Sequence, residues 1–203
     1  MVKNGLVLGK PNAGKTLFII NFAGFLGLRG LRADVTGVDG YTRRVTLSLE
    51  QAKREWVSQR PHKTRQLYRV HLLLPKGKGK KQLTLTDSTG LLEGIPGDPE
   101  LRRAIGQTLL TVRQADFIIH IVDASQAVTN DWVLSPGEVD MQLARYGRFR
   151  RNYLMLANKM DLPAAAHGLE TLQKTFAGTA ILPVSALQKT GFIEVRDYIR
   201  SYF

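Results

Sequence analysis

The sequence predicts an α/β fold of three layers: a mostly parallel sheet with one antiparallel edge strand and helices on both faces. Three observations predict it. Short apolar runs alternate with amphipathic helical stretches along the chain. The first apolar run, Gly5 to Gly9, ends in a glycine-rich turn that leads into an apolar helical stretch. Two later runs flank a short basic, glycine-containing segment, the pattern of a hairpin, which supplies the antiparallel strand.

Gly5 to Gly9 reads as the first strand. Thr16 to Leu28 reads as a helix, apolar nearly all round and therefore well covered. From Arg29 to Gln66 no strong strand stands out, but Leu49, Ala52 and Trp56 recur at helical spacing. Gln66 to Leu74 and Lys81 to Thr86 are strand-like runs joined by Pro75-Lys76-Gly77-Lys78-Gly79-Lys80, a flexible basic tip. Pro99 to Arg113 is helical, and the near-continuous apolar run Ala115 to Asp123 is a buried parallel strand. The alternation then repeats: helix Val133 to Tyr146, strand Tyr153 to Asn158, helix Ala164 to Phe176, strand Thr179 to Val184, and a closing helix Gly191 to Tyr202. Residues 1–203 are expected to form one domain, with a basic segment at about 43–66 lengthening the stretch before the hairpin.

A chain of 203 residues suffices for one sizeable core. The absence of cysteine excludes disulfides, zinc ribbons and thiol chemistry, and fits the expected cytoplasmic location. The longest apolar stretch, Leu17 to Leu28, is interrupted by Asn21 and too short to span a bilayer, so no transmembrane segment is expected. Lys and Arg number 29 against 17 Asp and Glu, a formal net charge of +12. Such a field favours nucleic acid or an anionic surface as partner; a basic solvated face is the plainer reading.

Four segments carry chemistry. Gly9-Lys10-Pro11-Asn12-Ala13-Gly14-Lys15-Thr16 matches the phosphate-binding loop pattern, with a strand before it and a helix after it. Its glycines let backbone N–H groups of Ala13, Gly14 and the first helical residues, through Leu17, turn toward phosphates. Lys15 suits the β- and γ-phosphates, and the Thr16 hydroxyl suits Mg²⁺. Asp87-Ser88-Thr89-Gly90 follows the hairpin's second strand; Asp87 can hold a water of the Mg²⁺ shell, and the Gly90 N–H can meet the γ-phosphate. Asn158-Lys159-Met160-Asp161 ends another strand. The Asp161 carboxylate can accept two parallel hydrogen bonds from guanine, which adenine cannot supply, while Asn158 supports the loop and the Lys159 stem covers the base. Ser185-Ala186-Leu187 ends the strand after that, where small residues let the Ala186 N–H approach guanine O6. The expected ligands are therefore GTP and GDP, with Mg²⁺.

In order and spacing these segments resemble the Era-like group of the translation-factor-related (TRAFAC) P-loop GTPases, over essentially the whole chain. Gly-x-Pro-Asn-x-Gly-Lys is that group's spelling of the loop, and Gly40-Tyr41-Thr42-Arg43 looks like its first switch segment. The resemblance implies a P-loop NTPase fold and GTP hydrolysis. It also makes Thr42 the threonine that closes over Mg²⁺ and the γ-phosphate, with Thr36 and Thr46 as competitors. Leu91 stands where Ras-like relatives carry a catalytic glutamine. Asn12 stands where potassium-activated members place a K⁺ ligand; an Asn chosen for its turn conformation is the equal alternative. Arg43 and Arg44 are candidate arginine fingers in cis, or simply solvated cations.

Lys53, Arg54, Arg60, Lys63 and Arg65 beside Trp56 offer a docking surface, or a helix packed on the sheet edge by Trp56. His120, inside an apolar strand, reads as a satisfied core histidine. The basic charge points to ribosomal or structured RNA, and oligomeric state is left open. Two rival functions stand: a P-loop ATPase with a chance Asn-Lys-x-Asp, and a GTP-dependent binding module with incidental hydrolysis. The signal-recognition type of GTPase is a rival fold, with Val35 to Tyr41 as its second parallel strand; the hairpin leading into Asp87 opposes it.

Overall fold

The nearly unbroken apolar runs become the centre of an eight-stranded sheet. The computed structural model describes residues 2–57, 66–88, 99–127, 136–148 and 152–203. In chain order it contains β1 (Lys3–Leu8), α1 (Lys15–Phe25), β2 (Gly30–Thr36), β3 (Thr42–Ser48), α2 (Leu49–Trp56), β4 (Leu67–Lys76) and β5 (Gly79–Asp87). Then follow α3 (Pro99–Gln114), β6 (Phe117–Asp123), α4 (Glu138–Arg148), β7 (Tyr153–Asn158), α5 (Ala165–Thr175), β8 (Ile181–Pro183) and α6 (Phe192–Arg200).

The strand order is β3-β2-β4-β5-β1-β6-β7-β8. β5, β1, β6, β7 and β8 run parallel to their neighbours within that series. β4 is antiparallel to β5 and β2, and β3 is antiparallel to β2. The sheet is thus mostly parallel with an antiparallel edge, as expected, but the edge strand is β3, and the hairpin strand β4 lies inside. A β4 antiparallel between β2 and β5 excludes the rival fold, in which the strand after the first helix joins an all-parallel series.

The Arg29–Gln66 stretch differs most from its sequence reading, since it contributes β2 and β3. Both strands alternate: Leu31, Ala33 and Val35 are buried, while Arg32, Asp34 and Thr36 face the other way. One face is charged, which dilutes the apolar signal of a half-covered strand. A turn closes the pair, with Gly40 N–H donating to Gly37 O at 3.0 Å. The helical spacing of Leu49, Ala52 and Trp56 does produce α2, which starts in a reciprocal cap between Ser48 and Gln51. Trp56 is buried and stacks on Tyr68 at 4.6 Å, so it packs the helix on the sheet.

Two apolar layers sandwich the sheet. On one side α1 and α6 meet through Phe18, Phe22 and Phe192, fully buried and stacked edge-to-face at 5.5 and 5.6 Å. Each such ring contributes roughly 2–3 kcal/mol of burial. On the other side Leu6, Leu8, Ile118, Val122 and Met155 pack under α3, α4 and α5. This burial of α1 on the sheet agrees with its all-round apolarity. Among the described residues, no helix is long and apolar enough to cross a membrane.

Candidate nucleotide-binding site

The site lies at the carboxyl ends of β1, β5, β7 and β8. β1 stops at Leu8, and the loop after it turns through residues in unusual backbone states. Gly9 has φ +143°, and a Cβ there would sit 2.2 Å from Ile121 O of β6. Gly14 has φ +98°, and a Cβ there would meet Asn158 Nδ2 at 2.3 Å. Both positions therefore require glycine for conformation and for space. Asn12 has φ +61° and is exposed, a left-handed state that asparagine tolerates better than most residues.

Gly14 caps α1 without a side chain, and the helix has no acidic residue in its first turn. The first intrahelical bond is Phe18 N–H to Gly14 O at 2.9 Å, so the N–H groups of Lys15, Thr16 and Leu17 have no helical acceptor. Together with the helix dipole they form an anion-binding end. Lys15 is buried, and its Nζ donates to Gly9 O at 3.2 Å and Lys10 O at 2.8 Å. Burial lowers its pKa to about 8 against the opposing charge of Asp87.

Thr16 Oγ1 donates to Asp87 Oδ2 at 2.5 Å, joining α1 to the end of β5. Asp87 is 1% exposed, and burial pushes its pKa up to about 6 although Lys15 and Thr16 pull it down. Its second oxygen, Oδ1, is buried without a hydrogen-bond partner. A buried carboxylate oxygen left unpaired is costly. The Thr16 hydroxyl beside a carboxylate with one orphaned hard oxygen fits Mg²⁺ with its water shell. Ser88 Oγ donates to Val7 O at 2.8 Å and locks the segment to β1.

Asn158 joins the phosphate loop to the base loops. Its Nδ2 donates to Ala13 O at 2.7 Å, and its Oδ1 accepts from Ala186 N–H at 2.9 Å. Ala186 O in turn accepts from Asn21 of α1 at 2.7 Å. Lys159 is left-handed (φ +68°) and its Nζ donates to Asp123 Oδ2 at 2.5 Å, holding its stem along the site. Asp161 Oδ1 accepts from Ser185 Oγ at 2.5 Å, and Ser185 Oγ accepts from Gln188 N–H at 3.0 Å. Leu187 projects outward, 64% exposed. Ala13, Asn158, Asp161, Ser185 and Ala186 thus form one connected unit drawn from three segments.

Sequence reasoning missed a buried polar chain beneath the loop. Lys10 Nζ lies 3.5 Å from Asp140 Oδ2 of α4, and Asp140 Oδ1 lies 3.0 Å from His120 Nε2. His120 Nδ1 is 2.6 Å from Tyr153 Oη. Burial pushes the Asp140 carboxyl up, but the His120 hydrogen bond and the Lys10 charge outweigh it and hold it below the usual carboxylate range. His120 is therefore the satisfied core histidine expected. The partner's identity was invisible, because α4 is remote in sequence.

The structure does not bring Thr42 to this site. It sits on edge strand β3, four strands from β1, with its hydroxyl 2.8 Å from that of Thr36. That is about 19 Å of sheet at ordinary strand spacing. Thr46 lies on the same strand and Thr36 on β2, three strands from β1, so neither competitor reaches the loop either. Arg44 is paired with Asp34 at 3.0 Å, on the same remote edge. Thr89, Gly90 and Leu91, and likewise Arg60, Lys63 and Arg65, lie outside the described residues.

A glycine-turned loop at a helix N-terminus, a buried lysine, a hydrogen-bonded Thr16–Asp87 pair and an Asn-Lys-x-Asp loop define a P-loop domain of the guanine-nucleotide type. The family model described as 50S ribosome-binding GTPase matches residues 4–159. The chain belongs to that family. It is 31% identical to GTPase Obg of Shouchella clausii over 118 residues, 57% of this chain and 27% of that protein. It is 26% identical to tRNA modification GTPase MnmE of Aquifex aeolicus over 194 residues, 95% of this chain and 33% of that protein. The chain thus spans about a third or less of these curated relatives. A solved structure of Era with MgGDPNP and a 16S ribosomal RNA fragment has the same fold, with a TM-score of 0.65 at 19% identity, covering 99% of this chain and 56% of that one.

Proposed function

We propose that this protein binds GTP with Mg²⁺, hydrolyses it to GDP and phosphate, and acts as a nucleotide-dependent switch in a ribosome- or RNA-linked process. The observation that carries the reading is the Asn158 bridge, which ties Ala13 of the phosphate loop to Ala186 of the base loop. Phosphates would lie against the N–H groups of Ala13 to Leu17, with Lys15 on the β- and γ-oxygens. Thr16 and Asp87 would hold Mg²⁺, which supplies charge neutralisation at the transferring phosphoryl group. Asp161 would accept from the guanine edge, fixed in place by Ser185. Family membership and the net charge of +12 support the RNA-linked role.

Competition between GTP and ATP tests the base assignment, and Asp161→Asn should move preference toward xanthine nucleotides. Turnover measured in K⁺ and in Na⁺ tests whether Asn12 also ligates a monovalent cation, since its left-handed backbone already accounts for an asparagine there. No phosphate release in either salt, with or without ribosomal particles, would leave the binding module as the better reading.

A further inference from the structure

Among the described residues, half of the sheet is covered by helices on one side only. Across β2, β3, β4 and β5, residues such as Leu31, Val70, Leu72 and Leu83 are buried toward α1, α2 and α6. The residues that alternate with them point the other way. Thr46, Arg32, His71 and Thr84 are cross-strand neighbours in one row, and Arg44, Asp34, Arg69 and Thr86 in the next. Arg32, Arg44, Thr46 and His71 are exposed, as is Lys80 further along the same face of β5. Helix α3 reaches the rim of this face, where Gln107 Nε2 donates to Gly37 O at 3.2 Å. Between α3 and Thr84, Thr86 and Arg69 a cleft of about 320 Å³ remains, lined by polar and apolar groups alike.

The face is cationic. Asp34 is the single acid in these two rows, and it is taken up by Arg44 at 3.0 Å and His71 at 2.9 Å. Arg32, Arg69 and Lys80 have no carboxylate partner among the described residues. Threonine, glutamine and histidine side chains between the cations add hydrogen-bond donors for phosphate and ribose hydroxyls. The two rows carry no Phe, Tyr or Trp on which unpaired bases could stack, so a single strand is poorly served. A lipid surface is served no better, because among the described residues Leu73 and, at the rim, Val2 are the large exposed aliphatic side chains along this face, too few to insert between cations.

We infer that the open face of β3-β2-β4-β5 docks the phosphate backbone of base-paired RNA. The inference rests on the RNA-linked reading above and names its surface. The test measures binding of the full chain, with GDP and with a non-hydrolysable GTP analogue, to a hairpin-capped RNA duplex over a salt series. In Arg32→Gln/Arg69→Gln/Lys80→Gln, affinity should fall about tenfold or more and the salt slope should shrink by about two to three. Nucleotide affinity and melting temperature should stay at wild-type values. Neutralising three exposed helix cations instead, Arg54→Gln/Arg145→Gln/Lys174→Gln, should cost less than about threefold. Equal losses in the two variants would overturn this surface and leave the RNA reading standing. Absence of duplex binding by the wild type would overturn both. Tighter wild-type binding to vesicles of equal parts phosphatidylglycerol and phosphatidylcholine would replace RNA by a membrane.

Discussion

The two halves of the sheet use the same backbone chemistry for different ends. β1, β6, β7 and β8 are parallel, and β1, β6 and β7 are buried on both faces over most of their length. β2, β3 and β4, with the outer part of β5, are antiparallel and covered on one face. In the proposed reading, the loops that follow β1, β7 and β8 in the doubly covered half carry the phosphate and base contacts. The half-covered one exposes a charged face and, among the described residues, brings Asp87 to the site. Rigidity suits a site whose atoms must be held within fractions of an ångström, whereas an open face suits contact with a large partner.

The largest effect that would sharpen this contrast comes from the parallel half. Lys15→Ala should lower GTP hydrolysis by about a hundredfold or more, since it removes a buried cation from the developing phosphate charge. Single-turnover phosphate release checks this, and a loss under tenfold would remove Lys15 from the chemistry. Next in size is stability. Asp140→Asn breaks a buried charged hydrogen-bond chain and should cost about 3 kcal/mol, whereas Arg44→Gln on the open face should cost under about 0.5 kcal/mol. Urea unfolding of both variants compares the halves directly, and equal losses would erase the distinction.

The pH dependence of nucleotide affinity follows in size. Mg²⁺ binding needs Asp87 ionised, and burial has raised its pKa to about 6. Affinity should therefore rise with pH up to about 6, approaching tenfold per unit below it. A triphosphate needs Lys15 charged, and its pKa is lowered to about 8, so affinity should fall again above that value. A titration with a fluorescent non-hydrolysable GTP analogue and Mg²⁺, from acid to alkaline buffer, reads both limbs; a flat profile would deny the coupling. The smallest effect is expected at Thr42. Thr42→Ala should change turnover by less than about twofold, because four strands separate it from the loop.

Legibility followed coverage. The run Tyr153 to Asn158 was readable to the residue, because a strand buried on both faces is apolar at every position. β2 and β3 were not, because their outward residues are Arg, Asp and Thr, and alternation with charge resembles loop. The phosphate and base motifs were readable because glycine, lysine and aspartate at those spacings serve local backbone geometry. Thr42 was assigned through a similar-looking tetrapeptide, with no local geometry to constrain it, and the fold carried it to the far edge.

By itself the sequence determined an α/β sheet, a phosphate loop that only glycine can turn, and an Asn-Lys-x-Asp loop suited to guanine. These depend on residues close together in the chain. Only the tertiary structure decided that Asn158 bridges Ala13 and Ala186, and that Asp140 of α4 meets Lys10. It alone placed β3 at the edge and turned Arg32, Arg69 and Lys80 onto one open face. Contacts between residues distant in sequence depend on strand order and register, which no local pattern encodes.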